Sequence, residues 1–357
     1  MEKQANQLPE TMKVAVMTDI HKVELEERPV PSLGSNDVLV KVMAVGVCGS
    51  DVHYYDHGRI GNFVVEKPII LGHECAGVVA AVGEEVTRFK VGDRVAVEPG
   101  VTCGRCEYCK SGRYNLCKEV EFLATPPFDG SFAQYIKHRE DFLFPLPDNM
   151  TFEEGALVEP FSVGIHACKR ARVQPGSTVA ILGMGPVGLM AVVAAKCFGA
   201  AQIYVTDIEP ARLEAAKRLG ATEAFNVKDV DAVAEIKRLT HDAGVDVAIE
   251  TAGNPRALQT GLAAVRPGGA LAIVGLPAQD EIPLNVPLIS SYEIDIHGIF
   301  RYANTYPLGI SFLASNDFDL NAVITDKYPL EQTQDALERA LTNKSGSLKV
   351  MVYPNGQ

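Results

Sequence analysis

The run Thr178-Val-Ala-Ile-Leu182 passes directly into Gly183-Met184-Gly185-Pro186-Val187-Gly188 and then into an apolar stretch reaching Gly199. A buried strand that turns through glycines into a helix leaves few architectures open, because the helix must pack back on the sheet that the strand belongs to. Gly183 makes the tight turn, Gly185 lets the backbone approach a pyrophosphate at the helix N-terminus, and Gly188 permits close helix–strand packing. Val187 then follows the phosphates. Asp207 closes the next apolar run, Gln202–Thr206. A carboxylate there accepts hydrogen bonds from the ribose hydroxyls and repels a 2′-phosphate, favouring NAD over NADP, while Arg212 nearby argues the other way. The rival reading is a glycine turn in some other α/β protein, which the combination of strand, helix and acid disfavours.

The same rhythm continues downstream. Pro210–Leu219 reads as a helix with Pro210 in its first turn, and Asp246–Thr251, Ala270–Val274 and Asp295–Phe300 read as further strands. Strands alternating with helices predict a parallel sheet. Before residue 165 the pattern is different: short β runs at Lys13–Met17, Val38–Val47, Gly77–Val82 and Arg94–Val97 are divided by turns such as Pro31-Ser-Leu-Gly34 and Val91-Gly-Asp93, as in a barrel or sandwich. After Arg301 come an amphipathic helix, Leu330–Thr342, and a strand, Ser347–Tyr353, which are expected to rejoin the first domain. The 357 residues are too many for one ordinary core and fit two domains. A net charge of −12 with no Lys/Arg cluster excludes a phosphate-backbone partner. Met1–Lys13 lacks an apolar signal core and Val187–Phe198 is too short to span a bilayer, so a cytoplasmic protein with no membrane partner is expected.

Eight cysteines without a secretory signal point to metal ligation in a reducing compartment rather than to disulfides. Cys103, Cys106, Cys109 and Cys117 share one short loop and can close a tetrahedral zinc site, which would hold a lobe together and leave no position for chemistry. Iron–sulfur clusters use other spacings and a Pro after the last Cys, absent here. Cys48, His73 and Glu74 form a second, mixed set. Three mixed ligands leave a coordination position open, the mark of a catalytic zinc. Individually these are a core thiol, a satisfied histidine and a surface carboxylate; together, beside a dinucleotide fold and the carboxylate Glu159, they read as a site. Cys75, Cys168 and Cys197 read as packing thiols.

These residues resemble the zinc-containing medium-chain dehydrogenase/reductase family and, within it, its polyol dehydrogenases. The likeness runs through Cys48-Gly-Ser-Asp-Val-His53-Tyr54-Tyr55, Gly58-Arg-Ile-Gly-Asn-Phe63, Gly72-His73-Glu74 and Phe300-Arg301-Tyr302-Ala303-Asn304-Thr305-Tyr306-Pro307, and covers nearly the whole chain. It implies an α/β fold in which a GroES-like, mainly β catalytic domain (1–162 and 301–357, with a structural-zinc lobe around 98–120) is interrupted by a Rossmann doubly wound parallel-sheet domain (163–300). It also implies a catalytic zinc on Cys48, His73 and Glu74 plus a water steadied by Glu159, a structural zinc on the four clustered cysteines, and NAD as hydride acceptor. Val274, Gly275, Leu276, Ile299, Phe300 and Arg301 would frame the nicotinamide.

The activity implied is reversible oxidation of a polyol such as sorbitol or xylitol to a ketose, with zinc as Lewis acid and the cofactor taking hydride. Two proton routes are open: Ser50 to the nicotinamide ribose and His53, or Glu159 through the zinc water. Tyr54, Glu159, Arg301 and Tyr302 are expected to bind the substrate's hydroxyls, with Phe63 and Phe122 as apolar walls. The alternatives are butanediol or threonine oxidation by the same machinery, and a non-catalytic dinucleotide-binding or zinc scaffold. By resemblance the protein is a homotetramer, for which the apolar segment Leu284–Ile299 offers an edge strand that could extend the Rossmann sheet across subunits.

Overall fold

The computed structural model describes residues 8–277, 279–315, 318–342 and 345–356. Strands from both ends of the chain share one seven-stranded sheet, ordered Leu143–Pro145, Arg94–Val97, Glu74–Val82, Asp37–Gly46, Lys349–Tyr353, Ile324–Pro329, with Tyr135–Arg139 also pairing to Asp37–Gly46. The terminal strand joins through Met351 opposite Gly46 and Val352 opposite Val45. A smaller sheet of Lys22–Pro29, Thr11–Asp19 and Ile69–Ile70 packs with it around Val14, Val16, Val40, Leu71 and Phe132.

The central strands of the larger sheet are buried on both faces, which normally requires a covering layer. That layer is the helix Phe152–Arg170. Small residues on the sheet, Ala44, Ala76 and Ala96, share its core, and Gly155 approaches so closely that a Cβ would stand 2.8 Å from Ala76 Cβ. The helix starts with a reciprocal cap: Glu154 N–H donates to Thr151 Oγ1 (3.1 Å) and Thr151 N–H to Glu154 Oε2 (2.7 Å). Further along, Gly164 lies against the helix Pro186–Cys197, where a Cβ would meet Ala191 Cα at 2.9 Å. One helix therefore touches both halves of the molecule and carries Glu159 between them.

The second half is a six-stranded, all-parallel sheet ordered Glu223–Asn226, Gln202–Asp207, Thr178–Leu182, Val245–Glu250, Val265–Ile273, Asp295–Gly298. Numbered along the chain, this is the order 3-2-1-4-5-6 of the Rossmann fold. Val179 to Leu182 are fully buried at its centre.

Two sequence expectations change. Leu284–Ile299 is not one strand: Val286–Tyr292 is helical and only Asp295–Gly298 pairs with the sheet. Asn285 Oδ1 accepts the Leu288 N–H (3.1 Å), Pro287 sits in the first turn, and Glu293 takes a left-handed φ of 50° that ends the helix. These stop and start signals outweigh the β-branched composition. Likewise Leu330–Gln332 is a 3-10 turn, and the α-helix begins at Thr333. The short helix Gly49–His57 had no periodic signal in the sequence.

Candidate active site

Cys48 caps the helix Gly49–His57, while His73 and Glu74 stand where the chain enters the strand Glu74–Val82. Their ligand atoms lie within 4.8 Å of one another, and His73 and Glu74 are buried. Zinc bonds of about 2.0–2.3 Å set tetrahedral ligand atoms roughly 3.3–3.8 Å apart, so a small contraction would bring this set onto an ion. The donor set of thiolate, imidazole and carboxylate fits zinc with a position left open.

Two residues that the sequence reading did not single out build the site's surroundings. Asp51 is fully buried; its Oδ2 accepts the Cys48 N–H (2.9 Å), its Oδ1 accepts the Gly72 N–H (2.9 Å), and the same Oδ1 lies 3.5 Å from His73 Nδ1. A carboxylate behind an imidazole fixes the ring for ligation. Burial works against a charge on His73, but Asp51 and Cys48 outweigh it and hold the imidazole well above its ordinary value. Lys349, 1% exposed, comes from the terminal strand; its Nζ donates to Val47 O (3.0 Å) and to Glu74 Oε2, with which it forms a buried ion pair. Gly46 makes room for this pair, since a Cβ there would sit 2.1 Å from Glu74 Oε2.

Glu159 is buried on the long helix and accepts a hydrogen bond from Tyr302 OH (2.7 Å). Burial pushes its carboxyl up to about 7, with Glu74 adding to the effect and His73 opposing it. Tyr302, expected to bind the substrate's hydroxyls, is 3% exposed and donates its hydroxyl proton to Glu159. Arg301 adopts a left-handed φ of 52° and lays its guanidinium 3.9 Å from the centroid of Phe122, whose ring in turn lies 5.6 Å from that of His73. Arg301 Nη1 is buried with no hydrogen-bond partner among the described residues. A buried, orphaned guanidinium donor is costly unless a ligand satisfies it. Arg301, Tyr302 and Phe122 line one small cavity with Glu98, which burial raises to about 7 and which accepts a hydrogen bond from Tyr114 OH (2.7 Å). Tyr54 is buried on the Gly49–His57 helix near Arg301 and Asp51. Phe63 is 42% exposed on a two-residue strand and does not line that cavity. Ser50 is partly exposed and His53 exposed on the same helix as Tyr54.

The glycine fingerprint behaves as three different residues. Gly183 has φ 97° and its Cβ would meet Ala252; a Cβ on Gly188 would fall 1.9 Å from Gly183 O; around Gly185, which caps the next helix, nothing lies within 4 Å. Open space beside unsatisfied helix N–H groups is what a pyrophosphate needs, so the residues fit a dinucleotide. Val187 follows Pro186 in the first turn. Asp207 accepts N–H bonds from Met184 (2.6 Å), Ile208 (2.7 Å) and Glu209 (2.9 Å), which pins the loop; a carboxylate has about four acceptor sites, leaving one for a ribose hydroxyl. Arg212 Nε is buried without a partner among the described residues. Val274 and Gly275 donate to Glu250 O, Ile299 donates to Ile273 O, and Leu276 (73% exposed) and Phe300 present apolar surface at the same sheet end.

In the cysteine lobe, Sγ–Sγ separations are 3.5 Å (Cys106–Cys109), 3.6 Å (Cys103–Cys117) and 3.9 Å (Cys103–Cys109), and no cysteine is in a disulfide among the described residues. Tetrahedral Zn–S bonds of about 2.3 Å require sulfurs roughly 3.8 Å apart. Gly104 has φ 67°, which turns backbone N–H groups of Arg105 and Cys106 toward Cys103 and lowers its thiol to about 7. The lobe fits a closed zinc site.

Comparison with known proteins agrees with this geometry. Residues 34–148 match the alcohol dehydrogenase GroES-like domain, and residues 186–315 match the zinc-binding dehydrogenase family. The chain is 68% identical to a sorbitol dehydrogenase of Bacillus subtilis, over 98% of this chain and 99% of that protein. Among solved structures it is similar to an Escherichia coli oxidoreductase of unknown specificity (TM-score 0.92, 40% identity, covering 96% of this chain and 99% of that one). It is also similar to the 2R,3R-butanediol dehydrogenase of Bacillus subtilis (TM-score 0.88, 33% identity, covering 96% and 100%). The chain belongs to the zinc-containing medium-chain dehydrogenase family, in its polyol dehydrogenase branch.

Proposed function

We propose that this protein oxidises a secondary hydroxyl of a polyol to the ketone with NAD as acceptor, at a site formed by Cys48, His73, Glu74 and Glu159. The observation that carries the polyol reading is Arg301: its buried Nη1 has no partner among the described residues, and its guanidinium lies over the Phe122 ring, which in turn neighbours His73. A neighbouring hydroxyl of a polyhydroxy chain would satisfy that donor; a simple alcohol would not. Similarity to a sorbitol dehydrogenase over nearly the full length supports the same substrate class. When bound, zinc supplies Lewis-acid stabilisation of a deprotonated alcohol, and NAD takes up the hydride.

The protein's own groups then orient and discharge. Tyr302 holds Glu159 by donating to it, Asp51 holds His73, and Lys349 holds Oε2 of Glu74. Ser50 and the exposed His53 lie on one helix, which favours them as the proton exit over the sealed Glu159. Arg301→Ala tests the polyol reading. The loss of a charged hydrogen bond, about 1.5–3 kcal/mol, should lower kcat/KM for sorbitol or xylitol by roughly 10- to 150-fold but spare a simple secondary alcohol. Equal losses would refute it.

We also infer a division at 162/163 and 300/301, a cytoplasmic setting and a homotetramer. Free thiols arranged as ligands support a reducing compartment. No helix among the described residues is long and apolar enough to cross a membrane. The Asp295–Gly298 strand ends the parallel sheet, and Val286, Tyr292 and Ile296 are exposed beside it, a surface suited to a second copy. A monomeric sizing profile would defeat that assembly.

A further inference from the structure

The helix that begins at Cys48 carries a second set of metal-capable groups. His53 and His57 are four residues apart on it, both exposed, with ring centroids 5.7 Å apart. Two imidazoles at this spacing share one helix face and can occupy neighbouring positions on a single ion. Asp56 Oδ2 lies 3.4 Å from His57 Nδ1, and Asp56 Oδ1 lies 3.0 Å from His21 Nε2. His21 also packs edge-on against Tyr55 at 5.1 Å, and Tyr55 OH donates to Glu338 Oε1 (3.0 Å). His21 therefore braces Asp56, and Asp56 engages the inner nitrogen of His57. A carboxylate on one imidazole nitrogen fixes the ring and leaves the other nitrogen for a metal.

We propose that His53 and His57 form a chelating site for a divalent transition ion such as nickel or zinc, separate from both sets of cysteine-containing ligands. Water would complete the coordination. Imidazole donors suit zinc, nickel and copper and do not suit calcium or magnesium. The site has a functional consequence that rests on the proton-exit role proposed for His53: a nitrogen bound to metal cannot accept a proton, so an ion held here slows turnover while the catalytic ligands stay intact.

The test is nickel titrated against the zinc-loaded full-length protein, with nickel and zinc counted per chain after dialysis and NADH formation followed in parallel. Wild type should take up one nickel without losing zinc and should be inhibited over the same nickel range. His57→Gln, a surface change outside the catalytic set, should keep the basal rate and weaken nickel binding about tenfold or more. His21→Gln should still bind. Unaltered nickel binding by His57→Gln, or inhibition that tracks zinc loss, would overturn the site. Nickel bound at His57 with no inhibition would overturn the proton-exit role of His53 and leave the chelate standing.

Discussion

Lys349→Met isolates the electrostatics around the proposed catalytic metal. Methionine keeps the unbranched shape of the buried side chain and removes the ammonium that Nζ presents to Glu74 Oε2 and Val47 O. Removing one partner of a buried ion pair costs about 3–5 kcal/mol, because the remaining charge stays buried without compensation. Losing the donor to Val47 O adds roughly 1 kcal/mol or more. A zinc ion on Cys48, His73 and Glu74 supplies a second positive charge to the same carboxylate. The cost should therefore fall mainly on the metal-free protein. Urea unfolding of zinc-loaded and chelator-treated protein checks this: Lys349→Met should lose about 4–6 kcal/mol after chelation and less than half of that with zinc present. Adding Glu74→Gln removes the stranded charge and should recover much of the chelated loss. Equal losses in both states, with no recovery in the double variant, would show that Lys349 acts through packing and would refute the charge reasoning.

Further outcomes follow from the glycine turn and from a buried histidine. Gly185→Ala adds a methyl where nothing lies within 4 Å, so it should fold like wild type yet lose NADH affinity, read by nicotinamide fluorescence; unchanged affinity would remove the pyrophosphate from this turn. Gly188→Ala drives a Cβ to within 1.9 Å of Gly183 O and should lose both stability and cofactor binding. Burial lowers His138 from 6.5 to about 4, while its Nε2 stays 2.8 Å from Glu98 O. The unfolded chain then binds more protons between those values, so stability declines as pH falls from about 6.5 toward 4, by about 3 kcal/mol in all. His138→Gln should flatten that decline in urea midpoints, and an unchanged slope would contradict it.

What could be read from the sequence was what depends on near neighbours. The glycine turn, its strand and helix, and the four-cysteine loop are each set by a few adjacent residues, so spacing alone revealed them. Cys48, His73 and Glu74 were legible as ligand types, but their support was not. Lys349 reaches Glu74 across 275 residues of sequence, and no local pattern announces such a pair. Asp51 left a faint sign, an acid three residues after Cys48 in the position that caps a helix start, which would have revealed both the Gly49–His57 helix and the partner of His73. Tyr302 was singled out from its segment, but only the fold sets its hydroxyl on Glu159. The Val286–Tyr292 helix was hidden by its apolar, β-branched composition, although Asn285 and Pro287 mark its start.

The central claim is that Cys48, His73 and Glu74 hold a working zinc while Cys103, Cys106, Cys109 and Cys117 hold a structural one. Zinc content and sorbitol-dependent NADH formation, measured side by side on wild type and Cys48→Ser, test it most directly. The account predicts two zinc ions per chain and turnover for wild type, and one zinc ion, a retained fold and no turnover for Cys48→Ser. A Cys48→Ser protein that keeps both zinc ions and still oxidises sorbitol would contradict it.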